Sequence, residues 1–102
     1  MKVEDAIRRV DGLCRSGRVV EDRGRQGRRS GKLFVETGRI QRGVLPCPHC
    51  GAPVGMGTVR VRHDDGRSVS FSPRLFHYVS AGHPISPRDV DGKKLAAIVA
   101  DG

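Results

Sequence analysis

The chain has 102 residues, a formal charge of +8 and a pI near 10.5, with fifteen Arg against four Lys. That length suits one small domain with a thin core, because Leu, Ile, Val and Phe number 25, Val supplies about half of them and Trp is absent. No apolar run approaches the roughly 18 residues of a membrane span, the start lacks an apolar signal core, and three cysteines do not close a disulfide framework, so the chain reads as cytoplasmic with reduced thiols.

In chain order, the sequence predicts a single α+β domain over 1–102. Residues 1–17 hold an N-terminal helix. Val3, Ile7, Val10 and Leu13 recur at three- and four-residue steps, Glu4 and Asp5 sit at its start, and Gly17 follows Arg15 as a stop. Cys14 lies beside that stripe and reads as a small buried hydrophobe.

Residues 18–32 are expected to form a flexible basic loop. The stretch from Glu21 to Lys32 has four Arg, one Lys and three Gly but no large apolar residue to bury. Arg23, Arg25, Arg28, Arg29 and Lys32 are its candidate phosphate contacts, because a guanidinium fork grips a phosphate with two hydrogen bonds.

Residues 33–83 are expected to form the metal-binding core. Two strands, around Lys32–Val35 and Arg39–Arg42, flank a turn at Thr37 and Gly38. A second hairpin spans 58–71. A three-residue loop of Asp64, Asp65 and a left-handed Gly66 sets Val61 opposite Val69 and Val59 opposite Phe71, with all four apolar side chains on one face. Arg60, Arg62, Ser68 and Ser70 then form a basic, hydroxyl-bearing outer face, and Arg60 and Arg62 join the candidate phosphate contacts.

Two Ser-Pro pairs read as helix starts. Ser72 and Pro73 precede a helix with Leu75, Phe76 and Val79 inward and Gly82 as its stop. Ser86 and Pro87 precede a C-terminal helix within 84–102, with Asp89 in a capping role and Val90, Leu95, Ile98 and Val99 buried.

The strongest chemical signal is Cys47-Pro48-His49-Cys50-Gly51. Two thiolates at this spacing bind one tetrahedral metal from a tight turn whose amides point at sulfur, and Gly51 serves a positive φ. The segment resembles a zinc knuckle. With His77 and His83, residues 47–83 resemble a Cys2His2 zinc-finger domain. The resemblance implies a structural Zn2+ on Cys47, Cys50, His77 and His83. The histidines are six residues apart, so both face one metal only if the helix ends between them, which Gly82 permits. The gap of 26 residues from Cys50 to His77 exceeds the usual finger's 12 or so, and the family's base-reading helix positions do not carry over. His63 is a competing ligand for either histidine, and the His49 ring should point outward.

Cys-Pro-His-Cys also resembles the dithiol of thioredoxin-fold disulfide oxidases, which leaves a thiol–disulfide redox protein using Cys47 and Cys50 as a lesser alternative, although Gly51-Ala52-Pro53-Val54-Gly55 is a poor helix start. Pro46 with the Cys pair matches half of a zinc-deaminase signature, yet no His-x-Glu precedes it. The sequence therefore predicts a non-enzymatic, structurally zinc-bound basic protein. Its expected partner is nucleic acid, DNA or RNA, held through backbone phosphates. The alternative partner is an acidic protein surface.

Overall fold

A computed structural model describes residues 1–37 and 40–102, with only the backbone of 40–43. The described chain is α+β with three helices and antiparallel strands. Helix α1 runs Val3–Ser16, followed by strands β1 (Arg18–Asp22), β2 (Arg25–Ser30), β3 (Leu33–Glu36), β4 (Ile40–Pro46), β5 (Pro53–Gly57), β6 (Val59–His63) and β7 (Ser68–Phe71). Helices α2 (Arg74–Ala81) and α3 (Gly92–Ala100) complete it.

Five strands form one sheet in the order β1-β2-β3-β6-β7, and β4 with β5 forms a separate ribbon. Helices α1 and α3 cover one face of the large sheet, while α2 lies between α1 and the ribbon strand β5. Ala6, Ile7, Val10 and Leu13 of α1 meet Leu33, Val35, Val59, Val61, Leu95, Ile98 and Val99 in the core. Burying a side chain such as Ile7 or Leu95, both at 0% exposure, contributes about 2–3 kcal/mol.

The stretch 18–32 is not a loop. Arg23 and Gly24 both take positive φ (54° and 76°), a two-residue turn that matches strand twist, so β1 and β2 pair from Asp22↔Arg25 to Arg18↔Arg29. A second tight turn at Gly31 and Lys32 returns the chain into β3. Arg18, Arg25 and Arg29 need no apolar company, because their side chains lie on the sheet face that, among the described residues, no helix covers, while Arg28 lies on the other face.

The strand expected at 32–35 is present as β3, but it pairs with β2 and β6. The segment after it pairs instead with β5, as Ile40↔Gly57 and Leu45↔Val54. Gly38 and Arg39, named for the connecting turn and second strand, lie outside the described residues.

The 58–71 hairpin has the expected register, Val59↔Phe71 and Val61↔Val69, with Gly66 at φ 99°. Ser72 Oγ accepts from the Arg74 N–H, so α2 begins after Pro73. The second Ser-Pro pair starts no helix. Asp89 Oδ2 accepts from both the N–H and hydroxyl of Ser86, closing a turn, and α3 begins at Gly92 with Asp91 accepting from the Lys94 N–H. The bond from Ser86 draws Asp89 into that turn, which leaves capping to Asp91.

Candidate metal centre

The knuckle forms the tip of the β4–β5 ribbon. The Cys47 N–H donates to the Ala52 carbonyl (2.7 Å) and the Gly51 N–H to the Cys47 carbonyl (2.8 Å), with Gly51 at φ 75°. Backbone N–H groups of His49 and Cys50 donate to the Cys47 sulfur. Burial works to raise this thiol, but those two amides, the Cys50 side chain and the positive charge of Arg74 outweigh it, and the thiol lies below its ordinary value. That favours the thiolate a metal requires.

Helix α2 supplies the other two donors. His77 lies in its last two turns. Gly82 then takes φ 76°, and the His83 N–H bonds back to the Tyr78 carbonyl at 2.8 Å. This left-handed cap folds the chain over the helix end and returns His83 toward His77, with ring centroids 5.3 Å apart. A continuing helix would carry it around the axis.

The donor atoms of Cys47, Cys50, His77 and His83 all lie within 4.8 Å of one another. Donors on a tetrahedral zinc are about 3.3–3.8 Å apart, given metal–ligand bonds of about 2.0–2.3 Å. Cys50 Sγ and His77 Nε2 already stand at 3.3 Å. Among the described residues, His83 Nε2 is buried and has no hydrogen-bond partner. That leaves a lone pair free to accept a ligand. Burial, then the adjacent His49 and His77, hold the His83 imidazole below its ordinary pKa, in the neutral form that ligates.

The remaining histidines are engaged otherwise. His63 is 9% exposed, its Nε2 lies 3.0 Å from the Asp101 carbonyl, and its Nδ1 accepts from the Asp65 N–H. It ties the β6–β7 loop to the end of α3 and is not one of the four clustered donors. His49 is exposed, yet its ring does not point away. It stands edge-on to Tyr78 at 4.9 Å and beside His83 at 4.9 Å, forming one wall of the site.

The expected phosphate contacts are less free than their sequence implies. Arg25 pairs with Glu36 at 3.1 Å, Arg29 with Asp64 at 2.8 Å, and Arg62 with Asp22 at 2.9 Å and Glu36 at 3.3 Å. Arg28 leaves the set. It lies opposite Val35, on the helix-covered side, and donates to the Gly17 carbonyl at the C-terminal end of α1. Among the described residues Arg60 reaches only Ser68, at 3.4 Å, while Arg23 and Lys32 sit exposed in the two tight turns.

Sequence reading missed Glu36, which is 2% exposed beneath Arg25 and Arg62, and Phe34, over whose ring Arg62 lies at 4.8 Å from the centroid. Their burial comes from β3 being the central strand, a position no local pattern marks. Gly27 was the available signal: the Phe34 ring lies where a Gly27 Cβ would be, 2.7 Å from Phe34 Cζ.

Comparison with protein-family models, curated proteins and solved structures gave no match. Among the described residues, no helix is long and apolar enough to cross a membrane.

Proposed function

We propose that the chain is a zinc-stapled, non-enzymatic binding module whose helix-free sheet face lies against nucleic-acid phosphates. The observation that carries the zinc assignment is the convergence of two thiols and two imidazoles, with a buried His83 Nε2 that has no partner among the described residues. Two soft sulfurs and two imidazoles suit Zn2+, and the metal would join the ribbon tip to α2, which a thin core leaves weakly attached. Because the protein fills all four corners, the ion has no open position for water, and its role is structural.

The nucleic-acid reading rests on the outer sheet face. Arg18, Arg23, Arg25, Arg29, Arg60 and Arg62 stand there or at its rim against Asp22, Glu36 and Asp64. Phe34 and Phe71 are buried, so the face offers no base-stacking platform, and contact would go to the backbone with little sequence preference. The pairing of Arg25, Arg29 and Arg62 with carboxylates lowers the free positive charge of this face; the second reading is a protein-interaction module in which the zinc only holds the fold and this face meets an acidic protein surface.

Binding of labelled duplex and single-stranded oligonucleotides across a salt series separates the two. The first reading expects affinity to fall with log salt at a slope of about −0.9 per phosphate neutralised on duplex DNA. It also expects loss of binding in Arg23→Ala/Arg60→Ala with zinc content intact. Absent or salt-insensitive binding refutes it.

A further inference from the structure

We infer that the chain associates with a second copy of itself through the β1 edge, in one defined antiparallel register centred on Val20. Among the described residues, β1 pairs only with β2, leaving its other edge open. Edge strands with unpaired backbone groups are templates for a further strand.

The hairpin fixes which groups point outward. In a two-residue turn the closing pair, Asp22↔Arg25, is the hydrogen-bonded kind, and the kinds alternate along the strands. Arg18, Val20 and Asp22 therefore direct their N–H and C=O to β2. Val19 and Glu21 direct theirs to the open edge. A two-fold axis perpendicular to the sheet must also pair residues of the same face. One register within β1 satisfies both conditions and uses the whole strand: Val20 opposite Val20 of the second copy, Val19 opposite Glu21 in two hydrogen-bonded pairs, and Arg18 opposite Asp22.

Charge selects the same arrangement. Within its own chain Arg18 lies directly opposite Arg29, an unfavourable cross-strand pair, and among the described residues no carboxylate reaches it. The second copy's Asp22 supplies one, twice over by symmetry. Asp22 binds Arg62 through one oxygen, and its side chain remains 40% exposed. On the helix side the space is open: α1 packs over β2 and β3, and Val19 is 68% exposed. The product is a ten-stranded sheet in which the two basic outer faces become continuous. The inference rests on the sheet geometry and not on the nucleic-acid reading.

The test is sedimentation velocity of the zinc-loaded full chain over a range of concentration. The expected result is a reversible shift from 11.1 kDa toward about twice that mass. Val19→Pro removes an N–H that the chain's own ladder does not use. It should weaken association roughly thirtyfold, with one cross-edge hydrogen bond lost per copy. Arg18→Glu, which sets Glu against Asp22, should likewise return the protein to monomer while zinc content and the far-UV circular dichroism of the folded chain hold. If Val19→Pro fails to fold, Arg18→Glu alone decides. A wild-type protein monomeric at every concentration, or a dimer untouched by a folded variant, overturns the inference. Oligonucleotide binding is read separately, so its failure is distinguishable.

Discussion

Replacing Gly82 by Ala probes how the fold places the second ligand pair. Gly82 sits at φ 76°, and a Cβ there would meet nothing within 4 Å, so the cost of Ala is conformational and not a clash. Holding a non-glycine residue in the left-handed region costs about 1–2 kcal/mol. For a domain of this size that lowers the thermal midpoint by about 5–15 °C. The chain can instead relax the turn, but then the His83 N–H leaves the Tyr78 carbonyl and His83 swings away from His77. The first route shows as a lower midpoint in circular dichroism with zinc in excess. The second shows as faster zinc release to a colorimetric chelator. Gly82→Asn, which tolerates this conformation better, should recover most of the loss. An Ala variant within about 1 °C of the parent, with unchanged zinc retention, would refute the role given to this cap.

Other outcomes follow from the sheet and the titrating groups. Gly27→Ala forces a Cβ against the Phe34 ring and the Val35 carbonyl and should cost about 1–3 kcal/mol in urea unfolding. Arg62→Ala leaves Glu36 buried with Arg25 alone and uncovers Phe34; a loss of about 3 kcal/mol is expected, and one below about 1 would show the network to be dispensable. In the metal-free chain the depressed His83 pKa gives stability that is present above its unfolded value, about 6.5, and lost as pH falls from there through the folded value; His83→Gln should flatten that limb. A separate acid limb belongs to Asp65, which its bond to Arg67 holds at about 2: its contribution is intact above about 4 and lost toward 2 in both proteins.

The legible parts of this molecule were those with local determinants. The stripe of Val3, Ile7, Val10 and Leu13 gave α1, the alternation of Val59, Val61, Val69 and Phe71 gave a hairpin in its correct register, and the Cys pair with its glycine gave the knuckle. His77 and His83 were legible because a six-residue spacing needs a helix stop and Gly82 provides one. The β1–β2 hairpin was not. Its strands are rich in Arg, its turn uses Arg23 where Asn or Asp would announce it, and it is held by ion pairs with distant segments, Asp22 with Arg62 of β6 and Arg29 with Asp64 of the β6–β7 loop. The same distance hid the neutralisation of the expected phosphate contacts: a carboxylate 35 residues from its arginine leaves no local mark. The knuckle runs into strand β5, so the helix that a thioredoxin-like dithiol would open does not follow Cys50.

The most direct test of the account is X-ray absorption at the zinc edge on the purified protein, with metal content measured alongside and Cys47→Ser as control. The account predicts one zinc per chain, with two sulfurs at about 2.3 Å and two nitrogens at about 2.0–2.1 Å. The site and the folded state should be lost together in the variant. A protein that folds without metal, with Cys47 and Cys50 joined as a disulfide, would contradict it.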